Sequence, residues 1–125
     1  MMLHRGSWYY LFFGPTCCFC HQGSGAEVWT ATHPMGPWTS TGLDLNPEHG
    51  FPATRVIAAQ ESFVVEYTSS GGNGYLYVGD RWTSAPDHLK SHDFQFWHPL
   101  EFNDTLTPPV PSPLQWVDNF TIDVR

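Results

Sequence analysis

The amino-acid sequence predicts an all-β fold of antiparallel sheets, and three observations lead to this prediction. Two segments repeat in kind, residues 6–14 (GSWYYLFFG) and residues 72–80 (GNGYLYVGD), each joining a turn signal to a short aromatic and aliphatic run. Eleven Gly and eleven Pro leave little room for helix. Aromatic residues, at 16%, outnumber charged ones, at 14%, which is the opposite of the composition that is typical of disordered chains. Two equivalent hairpins predict two equivalent blades of a β-propeller and a chain that shows only part of the ring.

Two strands are predicted in the first third of the chain. Trp8 to Phe13 is a run of aromatic and aliphatic side chains that is too short for a helix, and Glu27 to Ala31 is a second strand-like run. Turn signals separate and follow these strands at residues 23–25, 35–37 and 46–47. There Gly allows positive φ and Pro fixes φ near the value of a turn.

Five further strands are predicted at residues 55–60, 63–67, 75–80, 96–102 and 120–124. The Gly-rich and Ser-rich residues 69–74 connect two of them as a turn, and a single helical turn is expected around residues 85–90. Residues 107–113 (TPPVPSP) have too few backbone donors for a sheet interior, so they are expected to form an extended surface connection.

Seven or eight short strands correspond to about two four-stranded blades. We therefore predict one domain over residues 1–125, with one blade over approximately 1–50 and the last blade over 51–125. Propellers close with at least four blades, so two blades predict an incomplete ring that further N-terminal blades of the same protein would complete.

Composition also excludes several classes of partner. Five Lys plus Arg against twelve Asp plus Glu give a formal charge of -7, so no basic face is available for nucleic acid. No run of about 18 apolar residues exists, which argues against a membrane partner. The chain shows no signal peptide, whereas the sequons at Asn103 and Asn119 favour export, so we expect the full-length protein to be secreted.

Residues 17–21 (CCFCH) contain the Cys-x-x-Cys-His string of c-type haem attachment. The helices that enclose a haem are not predicted, and a second Cys or His pair at zinc spacing is not seen, although His4 and His33 are nearby helpers for a metal. The alternative is a tight loop with buried thiols or one disulfide. We predict no cofactor, neither haem nor stoichiometric zinc.

Further residues resemble the C-terminal part of family 43 glycoside hydrolases, closest to the exo-β-1,3-galactanase-like branch. The resemblance rests on residues 8–13 (WYYLFF), 26–31 (AEVWTA), 35–39 (MGPWT) and 79–82 (GDRW), in that order along nearly the whole chain. It implies a five-bladed β-propeller and an inverting hydrolase of galactan-type or arabinan-type plant polysaccharides. The many aromatic residues fit a sugar-binding surface, although most of them are expected to lie in the core.

In that family a carboxylic acid protonates the leaving oxygen while a second group activates water. The acid is usually the Glu of a Glu-Ala-Pro segment directly ahead of a stretch like residues 1–3, and the second group is usually an Asp of the first blade. Neither is in this sequence. We therefore expect this chain alone to be inactive, with a carbohydrate-binding or vestigial propeller remnant as the alternative.

The resemblance assigns roles to four residues. In the galactanase-like branch a glutamine holds the water, and Gln60 stands at the matching position as the catalytic candidate. Thr16 matches a sugar-binding position, and Arg81 and Trp82 are expected at the pocket wall. Structural alternatives are that Gln60 ends a strand, that Arg81 pairs with Asp80 or Asp93, and that Trp82 is core. Alternation along a strand would direct Glu61 away from Gln60, so Glu61 is not assigned as its partner.

Overall fold

The structure is a computed structural model that describes residues 1–14, 18–49 and 54–125. The strands are β1 (Met2–Arg5), β2 (Trp8–Phe13), β3 (Glu27–Ala31), β4 (Thr39–Asp44), β5 (Glu48–His49), β6 (Thr54–Arg55), β7 (Gln60–Ser69), β8 (Gly72–Asp80), β9 (Gln95–Pro99), β10 (Phe102–Asn103) and β11 (Val110–Pro111). A 3-10 helix at Lys90–His92 is the single helical element of the described residues. The prediction of an all-β chain with antiparallel sheets is confirmed. No described helix has the length and apolar character that a membrane span requires.

The first sheet has four antiparallel strands in the order β1-β2-β3-β4. A two-residue turn joins β1 to β2, and its first residue, Gly6, has a φ of 60°. Such tight hairpin turns require a positive φ, which glycine adopts without steric cost. Side chains of β2 alternate, so that Tyr10 and Phe12 are fully buried.

The second sheet has three antiparallel strands in the order β7-β8-β9. Ser69 pairs with Gly72 at the turn and Gln60 pairs with Asp80 at the far end, with a bulge between Glu61 and Phe63. The two repeated segments of the sequence therefore occupy equivalent places. Each begins at the turn of an antiparallel hairpin and forms the strand that lies between two neighbours, β2 in one sheet and β8 in the other.

The core lies between these two sheets. It contains the buried residues Leu3, Tyr10, Phe12, Ala26, Val28, Leu45, Ile57, Ala59, Tyr75, Tyr77, Phe96, Leu100 and Leu114. Most are aromatic or aliphatic, and side chains of this kind contribute roughly 1.5–3 kcal/mol each when they are fully buried. The shared core holds the sheets together, so loops from both sheets can contribute to one site.

A buried amide organises the connection between the sheets. The Asn46 Nδ2 group donates to the carbonyl oxygens of Ser24 and Ile57, and its Oδ1 accepts from the backbone N–H of Ile57, all at 2.8 Å. Asn46 is completely buried. Because a buried polar group is stabilising only when its hydrogen bonds are made, this residue fixes the path of residues 54–59.

Several predicted elements are wrong in extent. The second predicted four-stranded sheet has three strands in the described part of the chain. Of residues 55–60, only the two ends lie in strands, because Asn46 takes the hydrogen-bonding groups of Ile57 that a neighbouring strand would otherwise use. Residues 120–124 are irregular, and the helical turn begins at Lys90 instead of residue 85.

Strands β1, β4, β5 and β11 were not predicted, and one segment is less exposed than expected. Strands β1 and β4 are short or polar, so they lack the apolar run by which the others are recognised. The proline-rich segment contributes β11, which pairs with β10, and Pro111 is buried. A two-residue pairing needs few backbone donors, so proline is tolerated there.

Candidate functional site

Strand pairing brings Gln60 and Trp82 together. Gln60 begins β7 opposite Asp80, the last residue of β8, so the chain that leaves β8 passes beside Gln60. The indole Nε1–H of Trp82 donates to Oε1 of Gln60 at 3.0 Å. Two of the four residues predicted from the resemblance are thus joined by a hydrogen bond.

A second donor fixes the orientation of the Gln60 amide. The backbone N–H of Phe19 donates to the same Oε1 at 3.2 Å, while Nε2 points to Sγ of Cys18 at 3.7 Å. Two N–H donors at one atom identify it as the oxygen, and they engage both of its lone pairs. Gln60 therefore presents amide hydrogens, and not a carbonyl oxygen, to any further group.

The Trp82 ring is held between two side chains. Phe19 contacts it edge-on, with ring centroids 4.5 Å apart and planes at 80°. Lys90 Nζ lies 3.9 Å from the centroid of the Trp82 ring, which is a cation–π contact. Trp82 is half-buried, so it is neither a core residue nor a free surface ring.

These groups line an open pocket of about 300 Å³, formed by Phe19, Trp82, Thr83, His88, Lys90 and Asp93. Three of its residues have positive φ: Phe19 at 65°, Thr83 at 60° and His88 at 59°. They are the non-glycine residues with positive φ in the described ranges. Each such conformation costs roughly 1–2 kcal/mol. Backbone strain of this kind is concentrated at functional sites, which marks this pocket as the candidate site.

Asp93 supports the pocket wall. Its Oδ1 accepts from the N–H of Ala85 and its Oδ2 from the N–H of Thr83, both at 2.9 Å, and Lys90 Nζ lies 3.3 Å from Oδ2. The Ala85 N–H, and after it the Thr83 N–H and Lys90, hold the pKa of Asp93 below its usual range. Asp93 is therefore an ionised acceptor with engaged oxygens, unsuited to donating a proton.

The structure places Arg81, a third predicted site residue, away from this pocket. The Arg81 guanidinium lies over the Trp116 ring, 5.0 Å from its centroid, and 6.0 Å from that of Phe94. It does not line the pocket that contains Trp82, and Asp93 pairs with Lys90 instead. Thr16 lies outside the described residues, so its predicted contact with sugar stays a prediction.

Glu61 has a structural role next to Gln60. Its Oε1 accepts from the backbone N–H of Gly14 at 2.6 Å and its Oε2 from Ser24 Oγ at 2.8 Å. Ser24 is buried. Glu61 therefore anchors both ends of the loop that carries Phe19, whereas Gln60 contacts its middle.

The cysteine motif lies in this loop. Cys20 is part of a disulfide, so it has no free thiol that could attach haem. Within the described ranges no group of three or more His, Cys, Asp and Glu side chains is placed to hold a metal. That the loop binds neither haem nor zinc stays a prediction for a spectrum and a metal analysis.

Comparison with solved structures supplies a match for this architecture. The crystal structure of an exo-β-1,3-galactanase from Clostridium thermocellum superposes with a TM-score of 0.67 and 21% sequence identity. The match covers 96% of this chain and 27% of the galactanase chain, so the present chain spans about a quarter of that protein. The fold is glycoside hydrolase-like. The chain matches no known sequence family and no curated protein.

Sequence reasoning missed five residues that line the pocket: Phe19, Thr83, His88, Lys90 and Asp93. In the β7–β8 hairpin, strand pairing runs from Ser69–Gly72 at the turn to Gln60–Asp80 at the far end. This register places Trp82, two residues after Asp80, beside Gln60. No comparable signal exists for the five missed residues, because the segments between the strands bring them to the pocket. The backbone of those segments adopts conformations that residue preference does not predict.

Proposed function

We propose that this chain is the saccharide-binding sector of an inverting glycoside hydrolase that acts on galactan-type or arabinan-type plant polysaccharides, built on a partial β-propeller. The observation that carries the proposal is the hydrogen bond that joins Trp82, which lines a strained pocket of a glycoside hydrolase-like fold, to Gln60 beside that pocket. The protein of similar fold is an exo-β-1,3-galactanase, which supports galactan as the substrate class. A secreted protein would meet such a substrate.

The chemistry of the pocket suits an uncharged sugar. Trp82 provides aromatic surface, and the Gln60 amide provides hydrogens in a fixed orientation. Lys90 and Asp93 form an ion pair at 3.3 Å. Their charges cancel, so this wall of the pocket has little net charge with which to attract an ion. Aromatic surface together with a few oriented polar groups is typical of small-molecule sites.

The same pocket lacks the pair of groups that hydrolysis requires. Inverting hydrolases typically use two carboxyl groups about 6.5–9.5 Å apart, and the one that acts as the acid must be protonated even where a glutamine holds the water. Among the described residues that line the pocket, Asp93 is the one carboxylate, and its pKa is lowered. We propose that this chain binds saccharide without cleaving it, and that further blades would supply the acid and the partner group.

A partly exposed face of the second sheet supports such further blades. Phe63, Val78 and Trp97 form a row across β7, β8 and β9. Val78 is fully buried, but Phe63 is 48% and Trp97 44% exposed. Large apolar side chains exposed on a sheet face are favourable contacts for another sheet, as between neighbouring blades.

A second candidate function is that of a non-catalytic carbohydrate-binding module. The specific observation in its favour is that both lone pairs of Gln60 Oε1 are engaged by Trp82 and Phe19. To orient an attacking water as an acceptor, Gln60 would have to release one of these donors. If a chain completed with propeller blades hydrolyses galactan with inversion, and Gln60→Ala abolishes this, the module hypothesis is wrong.

Tryptophan fluorescence during titration with β-1,3-linked galacto-oligosaccharides tests binding. We expect a saturable change that Trp82→Ala abolishes, with no release of reducing ends in the same solution. Trp97→Phe is the matched control, since Trp97 lies on the partly exposed sheet face and should leave the change intact. No response at millimolar sugar would contradict the proposal.

A further inference from the structure

A larger cleft lies at the other end of the strands. It has a volume of about 650 Å³, against about 300 Å³ for the pocket at Trp82, and is formed by the β7–β8 turn, the residues after β9 and the C-terminal segment. Since a strand rises about 3.3 Å per residue, Tyr67 in the cleft and Gln60 at the start of β7 are roughly 23 Å apart. The cleft is therefore separate from the proposed saccharide pocket.

One wall of the cleft is a rigid polar assembly. Arg5 Nη1 and Nη2 donate to the two carboxylate oxygens of Asp104 at 2.7 and 2.9 Å. The guanidinium lies 4.5 Å from the centroid of the Phe102 ring, and that ring contacts Tyr75 edge-on at 5.8 Å. Two-point pairing and stacking fix the plane of both groups. The Asp104 side chain is nevertheless 62% exposed, so its remaining lone pairs are accessible to a ligand.

The charges of the cleft select against anions. Glu101 and Asp104 line it, and Asn73 is bonded to Glu66 at 2.6 Å. Arg5, already paired with Asp104, is the one cation among the residues that line the cleft. A phosphate or carboxylate ligand would thus meet repulsion, as it would from the formal chain charge of -7. An uncharged polar ligand would meet none.

The other walls offer the groups that a sugar ring needs. Asn73 both donates and accepts, and exposed carboxylates accept from hydroxyl groups. The Tyr67 ring covers Gly74, where any Cβ would overlap it, so this aromatic surface is held against the turn. Phe120 adds a ring that is 37% exposed. Aromatic surface for the C–H face and planar polar groups for the hydroxyls are complementary to a saccharide.

We propose that the cleft between the Arg5–Asp104 pair and the Tyr67–Asn73 side of the β7–β8 hairpin is a second saccharide-binding site, for a neutral oligosaccharide. This goes beyond the proposed function, which concerns the pocket at Trp82. Two sites on one chain would bind two segments of a polysaccharide, and the second contact would raise the effective affinity without any new interaction at the first.

The test is an NMR titration of the Tyr67 and Tyr75 ring signals with galactotriose, in the unmodified chain and in Trp82→Ala. We expect saturable shifts in both. The affinity that they report should fall at least tenfold in Asn73→Ala and in Asp104→Asn. Glu101→Gln serves as a second variant at an exposed position, for which no folding defect is expected. Gln115→Ala, outside the cleft, should change nothing.

The possible outcomes are distinct. Shifts that survive in Trp82→Ala support the second site whether or not the first site binds sugar. The proposal is overturned by an absence of shifts at millimolar sugar, by shifts that Asn73→Ala, Asp104→Asn and Glu101→Gln all leave unchanged, or by shifts produced by calcium chloride and not by galactotriose. Loss of the response in Trp82→Ala would also overturn it, because the cleft would then depend on the first site.

Discussion

The indole N–H of Trp82 and the amide oxygen of Gln60 are hydrogen-bonded at 3.0 Å, although the two residues belong to different segments of the chain. The antiparallel pairing of β7 with β8 makes this contact, and the Phe19 N–H completes it from a third segment. A glutamine that holds two donors has one orientation. The contact therefore sets which atoms of Gln60 a ligand meets.

Trp82→Phe tests the hydrogen bond separately from the ring. Phenylalanine keeps an aromatic face for Lys90 and for a sugar but removes the indole N–H, so the Gln60 amide is held by Phe19 alone. We expect galacto-oligosaccharide affinity to fall about tenfold, or about 1.4 kcal/mol. Isothermal titration calorimetry measures this. Equal affinity in Trp82→Phe and the unmodified chain would show that the hydrogen bond does not organise the site.

Saccharide binding at Trp82 should depend on pH through Asp93. Because the folded-state pKa of Asp93 is lowered, its hydrogen bonds to Ala85 and Thr83 are present above the usual aspartate range and are lost as pH falls through the lowered pKa. We therefore expect binding to persist to pH values below that range and then to decline. Asp93→Asn should weaken binding already at neutral pH. A pH series of the fluorescence titration measures both effects, and binding in Asp93→Asn that equals the unmodified chain would contradict this role.

Glu61 offers a contrast between anchoring and catalysis. Glu61→Ala removes both acceptors of Gly14 and Ser24, so we expect the loop that carries Phe19 to lose its position and saccharide affinity to fall several-fold. Glu61→Gln keeps one acceptor and allows Ser24 Oγ to accept from the new amide, so it should bind almost normally. If Glu61→Gln were as defective as Glu61→Ala, the carboxylate charge itself would be required.

Asn46 should be among the most sensitive positions for stability. Asn46→Ala leaves the Ser24 carbonyl and the Ile57 N–H without their partner in a buried site, whereas the Ile57 carbonyl keeps the Ala59 N–H, and each unsatisfied group costs about 1–3 kcal/mol. We expect a loss of several kcal/mol in the free energy of unfolding by urea. Asn119→Ala, at an exposed irregular position, is the control and should change it by less than about 0.5 kcal/mol. Similar stability in both variants would contradict this account of the core.

The sequence predicts the strands with aromatic or aliphatic runs well, and the rest less well. Strands β2 and β3 have the predicted bounds because their side chains belong on a pleated, half-buried surface. Residues 55–60 were mispredicted because a distant amide, that of Asn46, replaces a neighbouring strand there. Burial of this kind depends on contacts far apart in sequence, which local patterns do not contain.

The same distinction applies to the site. Gln60 and Trp82 were named from a resemblance, and the hairpin register explains why they meet. Phe19, Lys90 and Asp93 are brought in by segments between the strands, so neither the resemblance nor the strand pattern identified them. Arg81 directly precedes Trp82 in the sequence. Its side chain nevertheless lies against Trp116 and Phe94, because successive side chains point in different directions.

The central claim is that the Gln60–Trp82 pair binds a neutral saccharide that this chain does not cleave. A nitrogen–proton correlation spectrum recorded during titration with β-1,3-linked galactotriose tests both parts in one sample. We predict that the Trp82 indole and Gln60 side-chain amide signals shift together and saturate, while the anomeric proton signals of the sugar stay unchanged. Unmoved signals at millimolar sugar, or the appearance of free galactose, would contradict the account.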